Sequence, residues 1–130
     1  MTSVRSYRAL LWLTALCVAL ALPPSATADD GPEDARRSAE CSRSSDIELR
    51  ARADDDVIEV GLEIETPRRG STWAVILLHE RRIAFRGNLR TRSNGSIELK
   101  RSVPDWFGVD ILVARASGPR GESCQVSVRL

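Results

Sequence analysis

One histidine, His79, is the single imidazole that this 130-residue chain could use as a general base or metal ligand. A hydrolase triad needs a histidine held between a nucleophile and an orienting acid, and no serine elbow motif accompanies His79. A zinc site needs three or four histidine, cysteine or carboxylate ligands, which one histidine and two bonded cysteines do not supply. We therefore expect a non-enzymatic protein without metal or cofactor, with His79 at a strand end in a structural or exposed role.

Two further motifs contain residue types found in calcium or glycosylation sites, but their sequences are more typical of turns. Asp54-Asp55-Asp56 could offer oxygens to calcium, yet it lacks the glycine and the later glutamate of a calcium loop. Asn94-Gly95-Ser96 is formally a glycosylation acceptor, and Asn-Gly is also a strong hairpin signal. We expect a solvated turn at the first motif and a hairpin turn at the second.

The cysteines predict a disulfide in an oxidising compartment. Cys17 lies in an N-terminal apolar run, which leaves Cys41 and Cys124 as an even pair near the two ends of the domain. Such a pair in an exported chain is typical of a structural bridge. A redox role is the alternative, although no Cys-x-x-Cys spacing accompanies it.

Residues 1–28 have the pattern of a signal peptide. Arg5 and Arg8 precede an apolar run at 9–22, and a small-x-small cleavage site follows at 26–28. The run is about 14 residues long, short for a bilayer span. The pattern predicts a secreted protein with no stable membrane insertion after cleavage, and an uncleaved anchor is the rival interpretation.

Charge gives no argument for nucleic-acid binding. Without Arg5 and Arg8, the chain has 17 basic and 18 acidic residues, which gives a net charge of −1. The charges are nevertheless segregated, because residues 29–65 carry a net −8 and residues 66–130 a net +7. Either acidic early strands pair with basic later ones across a sheet, or the surface is polarised toward a charged partner.

From Cys41 onward the apolar residues recur with period two, the mark of half-buried strands. Residues 29–40 are polar and read as a disordered leader, and residues 41–130 as the folded domain. Seven strands with turns every 8 to 12 residues predict an all-β antiparallel sandwich closed by one terminal-to-terminal disulfide. These strands, labelled A, B, C, C′, E, F and G, cover residues 46–53, 58–65, 72–79, 83–91, 97–100, 109–116 and 124–130.

Some positions resemble those of immunoglobulin-like or fibronectin-like sandwiches. Trp73 on strand C resembles their buried tryptophan, and Asp105, Gly108, Asp110 and Leu112 resemble the corner before their strand F. Two residues depart from that pattern, because Asp110 replaces the usual corner tyrosine and Leu112 replaces the following cysteine. The resemblance thus implies an end-to-end disulfide in place of the cross-sheet one.

More specifically, residues 41–130 are similar to small secreted actinobacterial proteins of unassigned function. The similarity rests on three segments, 70–73, 79–82 and 115–121, the last leading to Cys124. The use of 16 arginines against one lysine after the signal also suits a GC-rich genome. This resemblance implies a fold and a location but no chemistry.

Two surfaces are candidate binding sites on the sheet of strands C, C′, F and G. Alternation along strand C′ places an arginine stripe on one side and apolar residues on the other: Arg82, Arg86, Arg90 and Arg92 against Ile83, Phe85, Gly87 and Leu89. The same alternation turns apolar side chains outward on strands C and F: Ala74, Ile76, Leu78, Ile111 and Val113. The arginine stripe either protects an exposed edge strand against aggregation or binds an anionic polymer. The apolar patch is either covered by other parts of the chain or serves as a binding face.

Trp106 and Phe107 form an aromatic pair at the corner between strands E and F. Such a pair either plugs the end of the sandwich or stacks on a sugar ring. We expect a secreted non-enzymatic binding module of unknown ligand that acts through the C–C′–F–G face, its partner being an unknown protein or a cell-wall polymer. The alternative is a module for carbohydrate or cell-wall polymer that uses Trp106, Phe107 and the arginine stripe, and pairing of two copies stays open.

Overall fold

The computed structural model describes residues 34–130, which form eight β-strands, and apolar residues alternate along most of those from residue 46 onward. A short 3₁₀ turn, Pro119–Gly121, precedes the last strand. The strands are β1 Asp34–Glu40, β2 Asp46–Asp54, β3 Val57–Glu65, β4 Thr72–His79, β5 Arg82–Arg90, β6 Ser96–Pro104, β7 Ile111–Ser117 and β8 Ser123–Arg129.

The strands form two four-stranded sheets, and neighbouring strands in each sheet pair antiparallel. The first sheet has the order β1-β2-β3-β6, and the second has the order β5-β4-β7-β8. The predicted all-β antiparallel architecture is thus confirmed, with eight strands where seven were expected. No helix in residues 34–130 is long and apolar enough to cross a membrane.

The additional strand, β1, occupies part of the segment that was expected to be a disordered leader. For residues 34–40 that expectation is wrong, because all seven residues pair with β2 from Asp34↔Arg52 to Glu40↔Asp46. Ala35 and Ala39 also pack partly against the core. The remaining leader residues, 29–33, and the predicted signal peptide, 1–28, lie outside the described residues.

The core lies between the inner faces of the two sheets. Its largest fully buried side chain is Trp73 on β4, whose indole Nε1 donates a hydrogen bond to Ser71 Oγ at 3.2 Å. The same core contains buried apolar residues from both sheets, including Leu49, Ile58, Leu62, Ile64, Val75, Leu77 and Leu112. Removal of these side chains from water is the main stabilising term.

A disulfide joins the two sheets at one end of the sandwich, here called the disulfide end. Cys41 follows β1 and Cys124 lies in β8, 83 positions apart in sequence with a Cα–Cα distance of 4.4 Å. Beside the bridge, the amide of Ser42 donates to the carbonyl of Ser123 at 2.9 Å. The bond predicted between Cys41 and Cys124 is thus confirmed.

Two glycines provide a matched test of core packing. A Cβ at Gly118 would lie 2.6 Å from two indole carbons of Trp73, whereas a Cβ at Gly61 has no neighbour within 4 Å. We expect Gly118→Ala to lower the free energy of unfolding by about 1–3 kcal/mol, because the buried indole cannot move aside. Gly61→Ala should leave it unchanged or raise it by about 0.5–1 kcal/mol. Urea unfolding would measure both, and equal values for the two variants would contradict this account.

Candidate functional site

Four of the ten predicted binding residues, Arg82, Trp106, Phe107 and Ile111, lie at the end of the sandwich opposite the disulfide, here called the loop end. Three connections meet there: the β2–β3 turn, the β4–β5 turn and the loop of residues 105–110 that leads from β6 to β7. Backbone hydrogen bonds hold them together, from Asp105 N–H to Asp56 O at 2.9 Å and from Glu80 N–H to Ile111 O at 3.0 Å.

A buried pair of polar side chains lies beneath these connections. His79 Nε2 and Asp110 Oδ1 are 2.5 Å apart, and each residue is 2% exposed. Asp110 also exchanges two backbone hydrogen bonds with Leu130, the residue after β8. The pair therefore joins the last residue of β4 to the loop before β7 and the end of the chain. His79 lies at a strand end as expected, but its partner is 31 residues away in sequence.

Trp106 covers this pair. Its ring stacks on the His79 imidazole with centroids 4.4 Å apart and an interplanar angle of 20°, and the Arg82 guanidinium lies 5.2 Å from the indole centroid. Phe107, by contrast, is fully exposed, and Gly108 follows it with φ +103°. The aromatic pair is therefore divided: Trp106 partly plugs the end of the sandwich, and Phe107 extends into solvent.

Asp105 lies close to the buried pair in the same loop. Partial desolvation raises the pKa of its carboxyl above the ordinary value of 3.8, and hydrogen bonding to Asp110 with the negative charges of Asp110 and Asp56 raises it further. The positive charge that His79 can carry lowers it, but by less. The loop end thus holds a carboxyl that favours its protonated form more than a free aspartate does.

Large apolar side chains on the surface are concentrated at the loop end. Among the described residues, every exposed one lies in its connections or in the first residues of the strands that leave it. They are Val57, Ile83, Trp106, Phe107, Val109 and Ile111. Single exposed apolar residues are normal on a protein surface, whereas a cluster of them marks a binding surface.

The outer face of the second sheet continues this apolar surface. Leu78 on β4 lies opposite both Ile83 on β5 and Val113 on β7, so the three form an apolar row across three strands. Ile76 lies opposite Arg86 and Arg115 in the next outward-facing row. Leu78, Val113 and Ile76 are half-buried, while Ile83 is exposed.

The position of Ile83 differs from the expected one. Simple alternation placed it with Phe85 toward the core, but the β4–β5 register shifts between Leu77 and Leu78. Phe85 therefore pairs with buried Leu77, and Ile83 pairs with outward-facing Leu78. The irregularity adds one unpaired residue to β5 and turns Ile83 outward.

The predicted stripe of four arginines is also divided. Arg82 contacts Trp106 at the loop end, and Arg92 lies beyond β5 with its guanidinium 3.3 Å from Glu98 Oε2. Arg86 and Arg90 remain on the exposed side of edge strand β5, and neither forms an ion pair with another residue in the described range 34–130. The stripe therefore consists of two arginines, Arg86 and Arg90, where four were predicted.

The outer face of the first sheet is a hollow of about 970 Å³ above Gly61, and several of its charges are paired. Glu48 contacts Arg36 at 2.8 Å and also contacts Arg50. Burial acts to raise the pKa of Glu48, but hydrogen bonds from these arginines outweigh it and lower the pKa. Arg36 and Arg50 belong to the acidic half of the chain, so these ion pairs lie within that half and do not join it to the basic half.

Comparison with known proteins adds no relative: no family model, curated protein or solved structure matches the chain. Within residues 34–130, no group of three or more histidine, cysteine, aspartate or glutamate residues is arranged to hold a metal ion. The candidate site is therefore defined by its own geometry, a loop end and an adjoining apolar sheet face.

The buried pair should contribute strongly to stability. We expect Asp110→Ala to lower the free energy of unfolding by about 3 kcal/mol, because it leaves the His79 imidazole buried without a partner. Asp110→Asn should cost less, since its side-chain oxygen can still accept from Nε2. Urea unfolding followed by tryptophan fluorescence would test this, and an Ala variant as stable as wild type would refute it.

The raised pKa of Asp105 predicts a pH dependence of stability. The folded state binds this proton more tightly than the unfolded state, so the contribution is favourable below the ordinary pKa of 3.8 and is lost as pH rises through the raised value. Asp105→Asn should therefore be more stable than wild type at pH 7, and this advantage should disappear at pH 3. Thermal unfolding at both pH values would measure it; an Asn variant less stable at pH 7 would show the opposite sign.

Proposed function

We propose that this chain is an exported, non-enzymatic binding module that contacts a protein partner through the outer face of β4, β5, β7 and β8. Two features support export: the signal-like pattern of residues 1–28 and the bridge between Cys41 and Cys124. Disulfides persist in oxidising compartments and stabilise domains of this size.

We also propose that the sandwich is of the immunoglobulin-like class. The sheet orders β2-β3-β6 and β5-β4-β7-β8 correspond to the strand sets A-B-E and C′-C-F-G of that class, with β1 as an additional edge strand. Buried Trp73 on β4 supports the assignment, and so does buried Asp110 at the position of the corner tyrosine. In this class the sheet faces and end loops are common binding surfaces.

The apolar row on the second sheet is the observation that carries the binding proposal. Ile83, Leu78 and Val113 line up across three strands, and Ile76 lies beside the row between two arginines. All described strands belong to the two sheets, which face each other across the core, so no described strand covers this outer face. A solvent-facing row with flanking guanidiniums suits an interface with an apolar centre and a polar rim.

The state of His79 supports a non-enzymatic role. Its Nε2 is engaged by Asp110, its ring is covered by Trp106, and 2% of the residue is exposed. An imidazole acting as a general base must reach a proton on its substrate within hydrogen-bond distance. The His79 imidazole instead packs at the end of the sandwich.

A cell-wall polymer with anionic groups is the second candidate ligand. Arg86 and Arg90 favour it, because both are exposed on an edge strand without an ion partner among residues 34–130. Arginine forks suit phosphate and carboxylate groups. Stacking of Trp106 on a sugar ring is less favoured, because His79 and Arg82 already contact its indole. Binding of this kind would weaken steeply as salt rises.

Replacement of Ile76 tests the sheet face. The full chain, produced by export and immobilised with its disulfide intact, would be exposed to secreted proteins and to purified wall polymer from the same source. We expect Ile76→Asp to reduce retention of the protein partner at least about tenfold, a loss of 1.4 kcal/mol, because a carboxylate would enter the apolar centre. Ser102→Asp, at an exposed position on β6 in the first sheet, is the matched control and should retain the partner.

Two results would argue against the protein-partner proposal. Equal retention by wild type and Ile76→Asp would exclude the apolar row as the interface. Retention of wall polymer alone, lost in Arg86→Ser with Arg90→Ser and in high salt, would assign the surface to an anionic polymer.

A further inference from the structure

The loop end carries acidic and basic groups that do not pair with each other. The β2–β3 turn exposes three consecutive aspartates, Asp54, Asp55 and Asp56, and the β4–β5 turn and the start of β5 expose Arg81 and Arg82. Among residues 34–130, none of these five side chains forms a salt bridge. The acidic face of the first sheet differs, because Glu48 and Glu98 are neutralised there by neighbouring bases.

The fold explains why these charges stay unpaired within one molecule. The acidic turn belongs to the first sheet and the basic turn to the second, and the β6–β7 loop runs between the sheets at this end. That loop presents Phe107 and Val109, both exposed, with exposed Val57 beside the acidic turn. The loop end thus has an acidic side, an apolar centre and a basic side.

We propose that two copies of this chain associate loop end to loop end about a two-fold axis. A rotation of 180° about an axis that crosses the loop end, perpendicular to the long axis of the sandwich and parallel to its sheets, places the acidic turn of one copy against the basic turn of the other, twice in the same interface. The exposed Phe107 side chains would meet near the axis and be removed from water. This is an isologous contact, in which one surface is complementary to itself.

Charge complementarity favours a second copy over a surface of a single charge. An anionic membrane or polymer would attract Arg81 and Arg82 but would be repelled by Asp54, Asp55 and Asp56. Only a partner that carries both signs in the opposite order satisfies both turns, and this chain provides that order itself. An exposed aromatic residue at the centre of a charged rim is the usual arrangement of an energetic anchor.

The inference goes beyond the proposed function, because the apolar row on the outer sheet face is a different surface. End-to-end pairing would leave Ile76, Leu78 and Val113 open on both copies. The dimer would therefore present two binding faces, and a partner with repeated sites would be bound with increased avidity.

The first experiment measures molar mass by light scattering during size-exclusion chromatography, from 1 to 100 µM full chain with the disulfide intact. We expect wild type to reach twice the monomer mass as concentration rises, and Phe107→Ser to stay at the monomer mass. Phe107 is fully exposed, so this substitution should not disturb folding. Ile76→Asp should still dimerise, because its side chain lies on the sheet face.

The second experiment exchanges the charges. Asp54→Lys with Asp56→Lys makes the acidic turn basic, and Arg81→Glu with Arg82→Glu makes the basic turn acidic. Each double variant alone should be monomeric, since like charges would then face each other at both contacts. An equimolar mixture should form a heterodimer, because both contacts are complementary again. Arg120→Glu is the matched control, exposed at the disulfide end with φ 58° against 63° for Arg81, and it should dimerise like wild type.

Any of four outcomes would overturn the proposal. Wild type could remain a monomer at 100 µM, Phe107→Ser could dimerise as wild type does, or the mixed charge variants could fail to associate. Loss of the dimer in Ile76→Asp would place the interface on the sheet face and would also overturn it. Circular dichroism with the strand signal of wild type would confirm that each variant is folded.

Discussion

The hydrogen bond between His79 and Asp110 determines how the loop end of this sandwich is built. It joins the end of β4 to the loop before β7, and both side chains are almost completely buried. A buried polar pair is strongly unfavourable once either partner is lost, so the loop is held in one place. Trp106 then stacks on the imidazole and closes the core, while the next residue, Phe107, is directed outward.

The two ends of the sandwich are closed by different chemistry. At the disulfide end, the covalent bond between Cys41 and Cys124 is supported by buried Glu122, whose Oε1 accepts a hydrogen bond from the Ser45 amide at 2.9 Å. At the loop end, closure depends on an imidazole, a carboxylate and an indole. Among residues 34–130, the large exposed apolar side chains are all found at the loop end.

The distribution of charge follows the same division. On the first sheet, several acids and bases of neighbouring strands contact each other, as Glu48 does with Arg36. At the loop end, the acidic and basic turns belong to different sheets and have no internal partner among residues 34–130. Surface charges that the fold does not neutralise are the ones available to a partner.

Local patterns determined much of this protein. Period-two alternation gave the strands from residue 46 onward, because each strand buries one face. The two cysteines near the domain ends indicated the bridge. The alternation also identified Ile76, Leu78 and Val113 as outward-facing, and the structure has them half-buried on that face. These conclusions depend on neighbours in sequence or on a pair of like residues, which a single chain reveals directly.

The tertiary structure decided what depends on distant neighbours. Strand β1 has a polar sequence without alternation and is held by backbone pairing to β2, so its sequence resembles a leader. The register shift at Leu77 and Leu78 that turns Ile83 outward arises between two strands and leaves no mark on either one. His79 and Asp110 meet across 31 residues. The pairing of β1, the register shift and the contact between His79 and Asp110 all depend on how one element packs on another. The local sequence shows which residues prefer to be buried, but it does not show which distant element they will pack against.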